Sequence, residues 1–286
     1  MAAAKHAPIF IGGLFKSGTS LLRAMVGQHS AIASGLETYW FDVDWAAGLG
    51  RDGEPLAQYV AERAAYFDED PDRAAAMAAE AAGIEDFLGR LLSGHAARLG
   101  KRRWAEKTPG NVLHMDRILA HWPDARMLHI VRDPRDVFAS LREAGKWDSV
   151  EAFASRWCTF LGAAEGHKRT LNLGAERYLE VRYERLVLNP EDAMRQVIAF
   201  LGEDWEPACA AFEGKPDDFE KVRAATGKES TTLKSLAAPL TGARVGLWRR
   251  VLNQADLAAV RAAADGAGLA TLYDRIIAET PDGAAA

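Results

Sequence analysis

The stretch that decides the fold is FIGGLFKSGTSLLRAM, residues 10–25. An apolar run ends in Gly12 and Gly13, a short polar loop follows, and apolar residues return at helical spacing in TSLLRAMVGQHS, so the order is strand, loop, helix. Glycines at 12, 13 and 18 let the backbone approach an anion closely. The amides of Ser17 to Ser20 open onto a helix start, where the dipole favours negative charge. A phosphate site is the expectation, but not the common nucleotide loop. That loop places a lysine directly after its second glycine. Here Thr19 follows Gly18, and Lys16 stands two residues ahead. On this loop alone, the phosphate reading and a turn that merely joins strand to helix are evenly balanced.

Working outward, RMLHIVRD at 126–133 and RYLEVRYE at 177–184 are two more apolar runs, each leading into a helical pattern. Pro134 suits a first helical position and Gly145 a stop; Asn189, Pro190 and Gly202 mark the cap, first turn and end of a later helix. Repeated strand-to-helix units predict an α/β fold, a three-layer P-loop-type parallel sheet flanked by helices. Residues from about 45 to 100, rich in alanine and acids, read as a helical insertion. In an open α/β sheet ligands bind beyond the carboxyl ends of the strands, where such an insertion shapes a pocket. No Pro/Gly/Ser linker and no internal repeat interrupts the chain, which predicts one domain over 1–286 with a short flexible tail from about 281.

Composition narrows the function. The 286 residues are nearly half hydrophobic and about a quarter charged, an ordinary globular mixture. A net charge of −5 argues against a nucleic-acid surface, though it allows a local basic pocket. Cys158 and Cys209 lie in stretches that read as amphipathic helix, outside any CxxC or Cys/His cluster, and are expected to be buried thiols without disulfide or zinc. The N-terminal residues offer no apolar run long enough for a signal peptide or a membrane span, so a cytoplasmic protein without membrane contact is expected.

A second anion site is implied by HIVRDPRDVFAS. Arg132 ends a strand and Ser140 lies eight residues on in the next helix, a guanidinium and a hydroxyl suited to a phosphate separate from the one in the glycine loop. Two phosphate sites suggest a nucleotide phosphorylated at two positions. With this, FKSGTSLLRAM, EKTPGN, HIVRDPRDVFAS and VRYERLVLNP...FLG stand in the order and approximate spacing of the sulfotransferases that use 3′-phosphoadenosine 5′-phosphosulfate (PAPS). The chain resembles that family from about residue 8 to 202, with a weaker echo in ESTTLKS and GLWRRVLNQADL.

The resemblance implies roles. Lys16, Ser17, Gly18, Thr19 and Ser20 match the 5′-phosphosulfate loop, Arg132 and Ser140 the 3′-phosphate pair, and Tyr183 a tyrosine near the adenine. Lys107 in EKTP matches a lysine that reaches toward the transferred sulfonate. The displaced lysine then makes sense. A sulfuryl group moves in line from a phosphate to a hydroxyl, needing positive groups at the leaving oxygen and a base on the acceptor, with no magnesium bridging two phosphates. The aryl and steroid branch has a histidine two residues after the lysine of its K-T pair, where this chain has Pro109. The tyrosylprotein branch instead uses a glutamate, and Glu37 in SGLET falls at the matching distance from Lys16, which makes it the candidate base. Without that match a solvent-facing or helix-terminal carboxylate is the plainer reading of Glu37.

Other positions are read more plainly. Glu106 suits an ion-pair or structural role, and His114 and His129 packed or exposed positions. Trp40 and Trp45 suit either an aromatic acceptor pocket or a core. Ser230 matches a serine close to the cofactor. The tyrosylprotein branch has a lysine before its C-terminal tryptophan; here Leu247 precedes Trp248, leaving Arg244, Arg249 or Arg250 as substitutes. The expected activity is therefore sulfuryl transfer from PAPS, leaving 3′,5′-adenosine bisphosphate, to a hydroxyl-bearing acceptor among small metabolites, lipids, sugars or peptide tyrosine. Two rivals remain: a kinase or NTPase using ATP or GTP with Asp133 as magnesium ligand, and a non-catalytic nucleotide binder. Neither the acceptor nor the oligomeric state is readable from the sequence.

Overall fold

A computed structural model describes residues 7–146, 149–214 and 236–281. Five parallel strands form one sheet in the order β2-β3-β1-β4-β5, with β1 at Ile9–Gly12, β2 at Ile32–Ser34, β3 at Arg103–Lys107, β4 at Arg126–Val131 and β5 at Tyr178–Arg182. The three strands expected from apolar runs are present as β1, β4 and β5. Strands β2 and β3 were not anticipated. The first has only three residues, and the second, RWAEK, hides its burial behind charged side chains. Arg103 is fully buried because Leu201 carbonyl oxygen and the Glu203 carboxylate accept its NH1 group at 2.7 and 3.2 Å, and Ala7 carbonyl oxygen accepts from its Nε. Tertiary partners satisfy a charge that local pattern would place at the surface.

The helices follow the parallel connections. Helix α1 is Thr19–Val26, buried along its whole length, and leads from β1 to β2. Between β2 and β3 lie α2 at Leu56–Ala64, α3 at Pro71–Glu80 and α4 at Ile84–Arg98, the helices expected of the insertion. Helix α5 is Met115–His121, α6 is Pro134–Glu143, α7 is Val150–Thr170, α8 is Tyr183–Leu188 and α9 is Pro190–Leu201. After the second undescribed segment come α10 at Trp248–Val251, α11 at Gln254–Gly266 and α12 at Ala270–Ala278. The expected helix boundaries hold, with one cap excepted. Pro134 opens α6 while the Asp133 carboxylate accepts the Arg135 N–H, and Gly202 ends α9 in the left-handed conformation at φ 75°. Asn189 precedes α9 without a side-chain cap bond, so there the proline alone marks the start. Cys158 lies half-buried on α7, whereas Cys209 is buried in a 3₁₀ turn, Pro207–Cys209, instead of the helix its surroundings suggested; both are free thiols.

Register decides where function can sit. Ile11 is level with Lys107 on β3, Gly12 with His129 on β4, and Val131 with Arg182 on β5. The carboxyl ends of the strands therefore share one edge, with the order reversing around β1, the crevice where open α/β sheets take ligands. The buried Asp136 on α6 accepts the amides of Gly246 and Trp248 at 2.8 and 3.0 Å, which fastens the C-terminal segment beside that crevice. No helix among the described residues is long and apolar enough to cross a membrane.

Candidate active site

Each strand delivers one site residue at its carboxyl end. Across the sheet, β2 leads to Glu37, β3 ends in Lys107, β1 feeds the loop with Lys16, β4 is followed by Arg132 and β5 by Tyr183. This spatial order differs from chain order, so residues spread over nearly 170 positions of sequence line up along one edge. Two cavities open there, of about 550 and 370 Å³, and both are walled by Lys16, Thr19 and Ser20. One side of the loop thus faces a polar cavity holding Glu37 and Lys107, the other a cavity holding Arg132, Ser140 and Tyr183.

The loop is shaped for close approach. Gly18 sits at φ 98° as the residue before α1, and a Cβ there would fall 2.6 Å from Cδ2 of Tyr183. Only glycine takes that conformation without strain and leaves the Tyr183 ring in place. Helix α1 has no side-chain cap bond, so its first-turn amides stay unclaimed by a capping oxygen. Lys16 also has a positive φ, 66°, a conformation that costs energy in a non-glycine residue and collects at functional sites. Burial lowers its pKa from the ordinary lysine value, and the charges of Lys146, Arg244 and Arg132 lower it further. Ser17 is placed differently from its loop neighbours: its side chain is buried outside both cavity walls, and its N–H closes the turn on Leu14 carbonyl oxygen at 3.1 Å.

In the smaller cavity the Arg132 guanidinium lies 4.3 Å from the centre of the Tyr183 ring. Its two terminal nitrogens donate to the carbonyl oxygens of Lys16 and Arg244, at 3.0 and 2.6 Å, and its buried Nε makes no hydrogen bond among the described residues. A buried donor left over beside Ser140 suits an anion. Leu21, Val187, Phe212 and Leu240 add an apolar wall next to the Tyr183 ring, the surface a nucleobase needs. Of the three C-terminal arginines proposed as substitutes for the missing lysine, Arg244 lines this cavity. Arg249 instead packs on Trp248, and Arg250 lies 4.0 Å from Glu143. Ser230 lies outside the described residues.

In the larger cavity Lys107, buried, donates to the Glu37 carboxylate and, at 2.9 Å, to Ser20 Oγ. Burial opposes the charge on Glu37, but Lys107 nearby, its hydrogen bond and that of the Tyr39 hydroxyl outweigh burial and hold the carboxyl below its usual range. For Lys107 burial wins, and its pKa is lowered in spite of Glu37. Glu106 takes the structural role expected of it: buried, it accepts from Thr38, Thr108 and Asn111 and so fixes the chain on either side of Glu37 and Lys107. Asp133, the magnesium ligand of the kinase reading, is instead engaged by Arg135 at 2.6 Å while capping α6.

The open readings of the surroundings resolve. Trp40 is fully buried against Tyr59 and Phe87, with ring centres 5.0 Å from each, and Trp45 packs on Phe87, so both belong to the core and neither lines the cavity. His129 is a buried partner of the Tyr178 hydroxyl at 2.6 Å, its pKa pushed down to about 4 by burial, and His114 lies 3.6 Å from Asp42. The sequence reading missed Tyr39, Arg51, Arg63, Lys146 and Arg156, all on the wall of the larger cavity. One signal was available in the sequence, since Tyr39 follows Glu37 by two residues; in the fold its φ is 52°, in the left-handed region.

Comparison with known proteins gives the family and the fold. The model of the Sulfotransferase family matches residues 8–207. Protein-tyrosine sulfotransferase 2 of Gallus gallus is 25% identical over 228 residues, 73% of this chain and 55% of that protein. Nodulation protein NoeE of Sinorhizobium fredii is 27% identical over 275 residues, 88% of this chain and 62% of that protein. The chain thus spans about half to three fifths of the length of these relatives. Among solved structures, the sulfotransferase domain of the Synechococcus PCC 7002 olefin synthase superposes with a TM-score of 0.66 at 23% identity, covering 91% of this chain and 95% of that one. The sulfotransferase domain of the curacin biosynthetic pathway gives 0.67 at 18% identity, covering 92% and 98%. The relatives are protein-tyrosine sulfotransferases among others, the shared fold is that of sulfotransferase domains, and the chain belongs to the sulfotransferase family.

Proposed function

We propose that this chain transfers a sulfuryl group from PAPS to a hydroxyl-bearing acceptor, as a single catalytic domain. The observation that carries the reading is the pair of cavities meeting at Lys16, Thr19 and Ser20, with a nucleotide-like wall on one side and a carboxylate beside two lysines on the other. The residues present fit the donor: Tyr183 and its apolar neighbours for the adenine, Arg132 with its spare Nε and Ser140 for the 3′-phosphate, and the loop from Lys16 to Ser20 for the phosphosulfate. When bound, PAPS supplies the sulfuryl group and a phosphate as its leaving group.

The chain's own residues then have separate tasks. Glu37, ionised at neutral pH, takes the proton of the acceptor hydroxyl as that oxygen becomes bonded to sulfur. Lys107 and Lys16 offset the negative charge that gathers on the leaving oxygen, and they do so at fixed positions in a partly water-excluded site. The Ser20 hydroxyl and Glu37 hold Lys107 on the wall of the larger cavity, bonded to a serine that both cavities share. The test is transfer of ³⁵S from labelled PAPS into a metabolite extract. Labelled product formed by the native chain and absent with Glu37→Gln supports the reading. Product formed equally by both means that the base lies elsewhere, and none from either, with tight binding of the bisphosphate, points to a binder without chemistry.

A further inference from the structure

The larger cavity carries charge that the donor does not use. Beyond Lys16, Lys107 and Arg23 of α1, four more cations line it: Arg51 and Arg63 stand on the side of the insertion, and Lys146 and Arg156 come from the segment after α6 and from α7. Asp42 is the acid among the wall residues besides Glu37. So concentrated a positive wall in a chain of net charge −5 is unfavourable to itself unless an anion relieves it.

Of these four, Arg51 and Arg63 have a carboxylate at 3.7 and 3.8 Å, and the other two have none among the described residues. Arg51 Nε lies 3.7 Å from Asp42, with its guanidinium 4.0 Å from the centre of the Tyr39 ring. Arg63, 17% exposed at its side chain, packs 4.5 and 5.2 Å from the rings of Tyr59 and Tyr66 and has Glu62 at 3.8 Å. The buried Nε of Arg63 makes no hydrogen bond among the described residues, and a guanidinium resting on ring faces presents in-plane N–H groups to a flat or tetrahedral anion. The side chains of Lys146 and Arg156 make no ion pair among the described residues. Tyr39 sets the scale, since its hydroxyl bonds Glu37 while its ring lies under Arg51, so one aromatic ring separates the base from that guanidinium. The volume of about 550 Å³ is that of a small-molecule site.

We propose that the acceptor is a small molecule bearing an anionic group, carboxylate or phosphate, about one ring's length from its reactive hydroxyl. Arg51 and Arg63 receive the anion, and Arg156 and Lys146 complete the basic wall. The proposal rests on the sulfuryl-transfer reading and assigns the acceptor class within it.

The experiment titrates the full chain, saturated with 3′,5′-adenosine bisphosphate, with 4-hydroxyphenylacetate, 4-hydroxyphenyl phosphate, 3-hydroxybutyrate and the neutral methyl ester of each carboxylate, followed calorimetrically. At least one anion is expected to bind about tenfold or more tightly than its uncharged counterpart. Arg63→Gln and Arg156→Gln are each expected to erase most of that preference while leaving affinity for the bisphosphate unchanged; Arg156 is exposed, so its replacement does not endanger the fold. Equal binding of acids and esters, or a preference that survives both substitutions, overturns the proposal. A tyrosine peptide flanked by acidic residues that binds when none of the small anions does overturns it as well, in favour of a polypeptide acceptor. Failure of the bisphosphate itself to bind is a separate result that defeats the donor reading first.

Discussion

The Lys107 ammonium is shared between the Glu37 carboxylate and the Ser20 hydroxyl, so the residue that ends β3 ties the base to the first turn of α1. An acid held this way stays ionised below the pH at which an ordinary carboxyl takes up its proton, because Lys107 and Tyr39 favour its charged form more than burial disfavours it. Its proton-accepting form is lost only as pH falls through a value below the ordinary carboxylate range. The acidic limb of kcat/KM is therefore expected below that range, and Glu37→Gln is expected to abolish transfer at every pH while sparing affinity for the bisphosphate. A pH–rate profile beside a binding titration reads both.

Tyr39 positions that base. Its N–H donates to Thr108 Oγ1 at 3.1 Å and its hydroxyl to Glu37, while its backbone holds a left-handed φ of 52°. Tyr39→Phe removes one bond that favours the charged carboxylate, so the acidic limb should move up in pH and kcat should fall by up to about tenfold, the worth of one ordinary hydrogen bond. Affinity for the bisphosphate should not change. An unmoved pH profile would show that the hydroxyl does not act on Glu37.

Lys107→Met removes the cation expected at the leaving oxygen. The rate should drop on the order of 10²–10³-fold, as when one preorganised donor to a developing charge is lost. The fold should lose much less, since Glu37 is 30% exposed at its side chain and water can take over its solvation. Melting curves and single-turnover rates measured on the same preparation separate the two effects.

Arg132 reaches the loop and the C-terminal segment at once through the carbonyl oxygens of Lys16 and Arg244. Arg132→Ala is expected to weaken binding of the bisphosphate by about 1.5–3 kcal/mol, the range for a hydrogen bond to a charged group. Unchanged affinity in a titration would remove Arg132 from the nucleotide site.

Lys16 gives binding a pH dependence of its own. Its pKa is lowered by burial and by three neighbouring cations, and a bound anion favours the charged form and raises it again. Between the lowered and the restored value, binding of the bisphosphate should take up protons, and affinity should fall as pH rises through the lowered value. Calorimetry in two buffers of different ionisation enthalpy counts the protons, and Lys16→Met should cancel the uptake.

The glycine loop, Arg132 and the three apolar strands were legible because their signals are local: φ-permissive residues, a basic side chain at a strand end, and runs of buried residues. Strand β3 was not, since the charges of Arg103, Glu106 and Lys107 break up the apolar pattern that marks a strand, and partners distant in sequence bury and satisfy them. The basic wall was hidden for a related reason. Arg51, Arg63, Lys146 and Arg156 come from four separate segments, and each alone reads as an ordinary solvated side chain. Trp40 and Trp45 carried two equal readings in the sequence, and packing against Phe87 decided for the core.

The central claim is that the loop from Lys16 to Ser20, with Arg132 and Tyr183, receives an adenine nucleotide phosphorylated at both its 3′ and 5′ positions. The most direct measurement is a thermal-shift titration with 3′,5′-adenosine bisphosphate beside AMP, ATP and GTP, each with and without magnesium. A ligand that binds only the folded chain raises its melting temperature as its concentration exceeds the dissociation constant. The account predicts that the bisphosphate stabilises the chain well beyond AMP and that magnesium makes no difference. Stabilisation by ATP or GTP only with magnesium, and none by the bisphosphate, would contradict it and return Asp133 to the centre of the site.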